Sequence, residues 1–179
     1  MLVVHDHGAN VSPPSPIERE AERLALLASV PVSPASESRF NELIELAAFV
    51  AHTPMASLAI VEAESVWFKS TLGFAADPVE RHDAICGSTV HAAHPVVVPD
   101  IANDPAFADN PLATDLGVRF YAGFPLMIHD GLAVGSMCVL DRRPRTLLSD
   151  ELHALRVIAD QAATQLRVSR LEAMVRDGR

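Results

Sequence analysis

Residues 119–141 contain two apolar segments, RFYAGFPLM at 119–127 and LAVGSMCVLD at 132–141, on either side of a turn at Asp130-Gly131. Aromatic and β-branched side chains favour strands, and an Asp-Gly pair between two such segments is typical of a tight hairpin turn. This stretch therefore predicts an antiparallel β-hairpin.

Further strands are predicted upstream of this hairpin. Residues 55–61 and 65–72 are short, apolar and compatible with strands, and the turn-like residues 62–64 between them predict a second hairpin. Residues 95–99 (PVVVP) predict a short strand, which its prolines restrict to the edge of a sheet. The strands should therefore form a mostly antiparallel sheet.

The remaining segments have helical patterns or turn-rich composition. Helices are predicted over residues 17–29, from Ser36 to the region before Pro54, over 83–93, and from Ser149 to about Arg176. Residues 100–118, the 100–118 loop, are rich in Asp, Asn and Pro, and long connections of this kind are usually functional or disordered. The fold class is therefore α+β, with both terminal helices on one sheet face and the middle helix and the loop on the other.

Length and composition predict one domain with short tails. The 179 residues fit a mobile N-terminal tail over 1–16, a domain over 17–172, and a C-terminal tail or the start of a linker helix over 173–179. The net charge of −9 argues against binding to nucleic acid or to an anionic membrane, because both require positive fields. Two cysteines are too few for a disulfide scaffold or a structural zinc site, and we expect a cytoplasmic protein with no metal.

Four segments, in this order, resemble the GAF domain family, a small-molecule-sensing fold related to PAS domains. They are WFKSTLG at 67–73, the segment from AICGSTVHAAH to ADNP at 84–111, RFYAGFPL at 119–126, and VGSMCVLDRRPR at 134–145. The resemblance extends over roughly residues 18–172. It implies a central antiparallel sheet of five or six strands, a ligand pocket on the loop side, and helices on the opposite face that mediate dimerisation.

A pocket on the sheet requires apolar walls and a few fixed polar groups. The candidate ligand-binding residues are Trp67, Phe68, Ser70, Phe74, Cys86, Asp100, Phe107, Asp115, Arg119, Phe120, Tyr121, Ser136 and Met137. The alternative is that these side chains fill an ordinary core, since aromatic residues make up only 5% of the chain. The ligand and any cofactor are not identified by the sequence.

Two candidates have competing interpretations. The Arg119 guanidinium could bind a carboxylate or phosphate of a ligand, or pair with Asp100 or Asp115 and fix the 100–118 loop, which is the role we favour. Cys86 stands in an Ile-Cys-Gly sequence similar to one in GAF-like free methionine sulfoxide reductases, but the loop lacks the catalytic cysteine that those enzymes carry. Cys138 is expected to be buried in a strand, and nothing in the sequence places it beside Cys86.

The C-terminal helix offers two apolar stripes. One includes Leu155, Ala159 and Leu166, and a second includes Val168 and Leu171, so the helix can pack on the sheet and also form a dimer seam. We therefore predict a non-enzymatic sensory domain that binds a small molecule and signals as a homodimer to a histidine kinase or diguanylate cyclase type of output. The alternatives are a structural dimerisation module without ligand and, less favoured, a thiol-based free methionine sulfoxide reductase.

Overall fold

A computed structural model describes residues 15–31, 38–75, 77–129 and 131–178. The tail predicted over 1–16 lies outside the described residues, apart from Ser15 and Pro16. The first helix begins at Pro16, and the Ser15 side chain caps it by accepting a hydrogen bond from the Glu18 backbone.

The helices and strands follow the predicted order, with two short additions. They are α1 (Pro16–Ala28), α2 (Ser38–Ala51), β1 (Met55–Val61), β2 (Ser65–Leu72), β3 (Val79–Glu80), α3 (Ile85–Ala92), β4 (Val96–Val98), α4 (Pro111–Thr114), β5 (Phe120–His129), β6 (Leu132–Asp141) and α5 (Ser149–Arg176). Neither β3 nor α4 was predicted, because two and four residues are too short to show a period.

The six strands form one antiparallel sheet in the order β3-β2-β1-β6-β5-β4. The predicted hairpins, β1–β2 and β5–β6, lie side by side because β1 pairs with β6 at the centre. The register between β1 and β2 shifts after Leu58, which pairs with Ser70 while Ala59 pairs with Phe68. Lys69 is therefore the extra residue of a β-bulge.

Helices α1, α2 and α5 cover one face of the sheet, as predicted. Their buried side chains, among them Phe40, Ile44, Leu155 and Leu166, form the larger apolar core with the inward side chains of the central strands. The first predicted stripe of α5 is thus used for packing within the domain. The sequence-based fold class is confirmed.

An ion-paired network fixes α1 to the turn that follows β1. Arg23 is buried, donates a hydrogen bond of 2.7 Å to the Val61 carbonyl and pairs with Glu20 at 2.8 Å. Glu20 also accepts a hydrogen bond from Arg81. A carboxylate shared by two guanidinium groups therefore joins the first helix to the segment before α3.

The opposite face of the sheet carries α3 and the 100–118 loop over a second, smaller core. Its buried side chains include Ile85, Val90, Ile101 and Tyr121, and Phe107 and Leu112 pack against them. This face is covered by short elements and not by long helices, which leaves room for a cavity. No helix within the described ranges is long and apolar enough to cross a bilayer.

Candidate functional site

A cavity of about 310 Å³ lies between the sheet and the 100–118 loop. Five of the six strands, the segment from β2 to β3, the start of α3 and the second half of the loop contribute to its walls. The lining residues are Ser57, Phe68, Phe74, Ala75, Asp77, Val79, Asp83, Ala84, Cys86, Pro111, Leu112, Asp115, Leu116, Tyr121, Cys138 and Leu140. Ligand pockets are commonly about 300–1,000 Å³, so this cavity suits a small molecule.

The floor of the cavity is a buried cluster of sulfur and hydroxyl groups. The Sγ atoms of Cys86 and Cys138 lie 3.4 Å apart, and both residues are free cysteines. Cys138 Sγ is also 3.0 Å from Ser136 Oγ and 3.3 Å from Tyr121 Oη. The Tyr121 hydroxyl in turn lies 2.8 Å from Thr89 Oγ1 in α3. The cluster therefore connects β5 and β6 to α3 below the cavity.

The environment of this cluster separates the acidities of its two thiols. A hydrogen bond with Cys138, together with burial, raises the pKa of Cys86. Burial also acts to raise the pKa of Cys138, but hydrogen bonds from Cys86, Ser136, Tyr121 and Ser57 outweigh it, and the pKa of Cys138 is lowered. Cys138 is thus the sulfur on which a thiolate is best stabilised.

Gly123 makes room for the Tyr121 side chain. A Cβ at position 123 would lie 2.2 Å from Tyr121 Oη and 2.5 Å from Thr89 Oγ1, closer than real Cβ contacts allow. The Tyr121 ring therefore lies over the glycine two residues further along the same strand. The group that approaches this glycine is thus the hydroxyl of a side chain from its own strand.

The walls of the cavity are apolar and its rim is acidic. Phe68 and Phe74 meet edge to face, with ring centroids 6.2 Å apart. Asp77, Asp83 and Asp115 lie among the lining residues, and no arginine or lysine lies among those that the structure describes there. The resulting electrostatic potential favours a positively charged group near the opening.

Five of the thirteen predicted binding residues line the cavity, namely Phe68, Phe74, Cys86, Asp115 and Tyr121. Whether they bind a ligand stays a prediction.

Four other candidates lie on the helix-facing side of the sheet and do not line the cavity. Trp67, Phe120 and Met137 belong to the larger core because successive strand residues point to opposite faces, and their neighbours Phe68, Tyr121 and Cys138 face the cavity. Ser70 also points away from the cavity, since its hydroxyl donates a hydrogen bond to Asn41 in α2. The bulge at Lys69 turns this part of β2 towards the helices.

The remaining candidates, Asp100, Phe107, Arg119 and Ser136, support the cavity from outside it. Arg119 donates from Nε and from Nη2 to the two carboxylate oxygens of Asp100, each at 2.6 Å. This bidentate pair joins the start of the 100–118 loop to β5, which is the loop-fixing role favoured from the sequence. Phe107 packs in the smaller core, and Ser136 lies in the buried cluster beside Cys138.

Several lining residues were not predicted. Ser57 is a polar residue within an apolar strand, so its position was a usable signal. Asp77 and Leu116 lie in irregular segments and Asp83 ends a single 3-10 turn (Arg81–Asp83), and sequence periodicity does not show which way such side chains point.

The family model of the GAF domain matches residues 15–166 of the chain. Over 112 residues the chain is 35% identical to a cyclic di-GMP phosphodiesterase from Pseudomonas aeruginosa, a match that covers 62% of this chain and 19% of that protein. The chain thus spans about a fifth of the length of this curated relative.

Two solved structures have the same fold. A domain of a protein described as a two-component sensor histidine kinase from Sinorhizobium meliloti gives a TM-score of 0.63 at 20% identity, covering 80% of this chain and 99% of that one. A free methionine-R-sulfoxide reductase from Neisseria meningitidis, solved with its substrate, gives a TM-score of 0.62 at 14% identity, covering 93% and 99% of the two chains.

Proposed function

Because the chain belongs to the GAF domain family, we propose that it is a sensory domain that binds a small cationic or zwitterionic molecule between its sheet and the 100–118 loop. The observation that carries this proposal is the cavity itself, with apolar walls, a hydrogen-bonding floor and an acidic rim. A ligand of this kind would place its apolar part between Phe68 and Leu112 and its positive group near Asp77 or Asp115.

The volume of the cavity narrows the class of ligand. At about 310 Å³ it lies at the lower end for ligand pockets, which suits a molecule of amino-acid or nucleobase size and not a large chromophore. The floor offers hydroxyl and thiol groups, which can both donate hydrogen bonds to and accept them from polar atoms of a ligand.

The proposed role in signalling rests on the terminal helices. The second predicted stripe of α5 is exposed: 45% of Val157, 39% of Val168, 60% of Leu171 and 79% of Val175 is accessible to solvent. Phe49 on the neighbouring α2 is 74% exposed. Apolar residues at heptad-like spacing on a long helix are typical of a helical dimer seam, so we place homodimerisation on this surface.

The output partner is proposed as a histidine kinase or an enzyme of cyclic di-GMP metabolism in a bacterial cytoplasm. This is supported by the matches to a domain of a sensor kinase and to one fifth of a cyclic di-GMP phosphodiesterase. The proposed role is regulatory and not catalytic. A structural module whose cavity stays empty is the alternative, and it shares the same dimer surface.

Thermal-shift assays on the purified chain with two matched panels test the ligand class. One panel contains free amino acids and small amines at millimolar concentration, and the other contains dicarboxylates of similar size. We expect stabilisation by at least one member of the first panel and by none of the second.

Two variants test whether the stabilising compound binds in the cavity. Asp115→Asn should weaken the binding of the stabilising compound about tenfold, since it removes a charge at the rim. Asp150→Asn, an exposed position at the start of α5, serves as the control and should bind normally. No stabilisation by either panel, or equal binding by both variants, would contradict the proposed site.

A further inference from the structure

We propose that Cys86 and Cys138 form a peroxide-sensitive dithiol, which hydrogen peroxide oxidises to an intramolecular disulfide. The proposal does not rest on ligand sensing and would hold for a chain that binds no small molecule. It starts from a pairing across 52 residues of sequence, between the first turn of α3 and the centre of β6.

The geometry brings the two sulfurs close to bonding distance. Their separation of 3.4 Å must shorten by only about 1.4 Å to reach a normal S–S bond length. Buried structural cysteines elsewhere in proteins are usually inert because they lack both a partner and access. Here each cysteine has the other as a partner.

An oxidant can reach the two sulfur atoms through the cavity. Both cysteines are among its lining residues although only 5% of Cys86 and none of Cys138 is exposed to bulk solvent. Hydrogen peroxide is only slightly larger than water, so it fits within a cavity of about 310 Å³. Large disulfides such as oxidised glutathione would not reach the sulfurs by this route. The oxidant class is therefore a small peroxide.

The surroundings assign different roles to the two sulfurs. Ser136 and Tyr121 lie at 3.0 and 3.3 Å from Cys138 Sγ and supply hydroxyl groups that stabilise a thiolate there. Cys86 shares the Tyr121 hydroxyl but lacks the hydrogen bonds from Ser136 and Ser57 that Cys138 receives, and Cys138 is its sulfur neighbour. Cys138 is thus the attacking sulfur and Cys86 the resolving one.

The reaction proceeds in two steps that balance. The Cys138 thiolate attacks one oxygen of hydrogen peroxide, the O–O bond breaks, and hydroxide leaves and is protonated to water, giving a sulfenic acid at Cys138. The Cys86 sulfur then attacks the Cys138 sulfur, the S–O bond breaks, and the second hydroxide takes the Cys86 proton. Two thiols and one peroxide give one disulfide and two waters.

The experiment follows the intact mass of the full chain after treatment with a small excess of hydrogen peroxide and alkylation under denaturing conditions. We expect a monomer lighter by two hydrogen atoms, with neither cysteine alkylated, and recovery of both thiols after dithiothreitol. Persisting alkylation of both cysteines, direct oxidation to sulfinic acid, or a disulfide between two chains would overturn the proposal.

Single variants test the assigned roles. Cys86→Ser should stop at the Cys138 sulfenic acid, which dimedone traps. In Cys138→Ser the remaining thiol should react at least about tenfold more slowly, because it lacks the hydrogen bonds from Ser136 and Ser57 that stabilise a thiolate at Cys138. Equal rates in the two variants would refute the assignment. Circular dichroism checks that each variant folds, and Cys→Ala substitutions replace any serine variant that does not.

A third variant tests the role of the tyrosine. Tyr121→Phe removes one donor to Cys138, so the oxidation rate should reach its half-maximum at a higher pH than in the wild type. An unchanged pH profile would show that this hydroxyl has no part in the reaction. Such a profile separates an effect on the thiolate from a general loss of packing.

Discussion

Replacing Gly123 by alanine tests whether the cavity floor depends on the close approach of the Tyr121 hydroxyl. The new Cβ would lie 2.2 Å from Tyr121 Oη and 2.5 Å from Thr89 Oγ1, so these two groups must move apart or the strand must shift. Overpacking of this kind costs about 1–3 kcal/mol. Loss of the buried Thr89–Tyr121 hydrogen bond adds about 1–2 kcal/mol.

The expected loss in the free energy of unfolding is therefore about 2–4 kcal/mol, once the lower chain entropy of alanine in the unfolded state is subtracted. For a domain of this size the Tm should fall by about 5–15 °C. Urea denaturation followed by circular dichroism measures the free energy, and calorimetry measures the Tm. A variant within about 0.5 kcal/mol of the wild type would refute the reasoning.

Two companion variants separate the steric clash at position 123 from the general cost of replacing a glycine by alanine. Gly117→Ala introduces the same methyl group where nothing lies within 4 Å, but at a φ of +66°, so it should cost only about 1 kcal/mol. In a Tyr121→Phe background the nearest atom is absent, and Gly123→Ala should cost at least about 1 kcal/mol less than in the wild type. An equal cost in both backgrounds would place the clash elsewhere.

Three further substitutions test the ion-paired network at Glu20, the attachment of the 100–118 loop and the proposed dimer surface. The hydrogen bond from Arg23 lowers the pKa of Glu20 from 4.5 to about 2, although burial acts in the opposite direction, and Arg81 lowers this pKa further. The contribution of the Glu20 carboxylate to stability is therefore complete above pH 4.5 and is lost as the pH falls towards 2. Glu20→Gln should therefore flatten the dependence of Tm on pH across this interval, and an unchanged slope would count against the network. Arg119→Lys should speed hydrogen exchange in residues 101–118 and leave 55–61 unchanged, because lysine cannot reproduce the bidentate contact with Asp100; equal exchange would show that the pair does not hold the loop. Leu171→Arg should convert a dimer to a monomer in light scattering, whereas His153→Arg, an exposed position nearer the start of α5, should not; a dimer that survives Leu171→Arg would exclude this surface.

The architecture was largely accessible from the sequence because its main elements are long enough to show a period. The bounds of β1, β2 and β6 agree with the predicted strands, and α5 begins at Ser149 and ends at Arg176, as expected. The pairing within each of the two hairpins followed from the sequence, whereas the pairing of β1 with β6 between them did not. The two-residue β3 carries no such signal, and it is held by its pairing with β2 at Val66 and Ser65.

The site was less accessible because it depends on the direction of individual side chains. Adjacent residues such as Trp67 and Phe68 were both chosen for being aromatic, although a strand directs only one of them to the cavity. The contact between Cys86 and Cys138 depends on how α3 packs against β6, which no local pattern encodes. Among the polar candidates, the pairing of Arg119 with Asp100 was foreseeable because opposite charges flank the same loop.

The cavity and the helices lie on opposite faces of the same sheet, so only one layer of strands separates them. Tyr121 and Cys138 face the cavity, and the residues directly before them, Phe120 and Met137, lie fully buried against the helical layer. A strand that rotates slightly about its own axis displaces both neighbours in opposite directions. We therefore expect that a displacement of the cavity floor alters the packing of α2 and α5 directly, across one layer of the sheet.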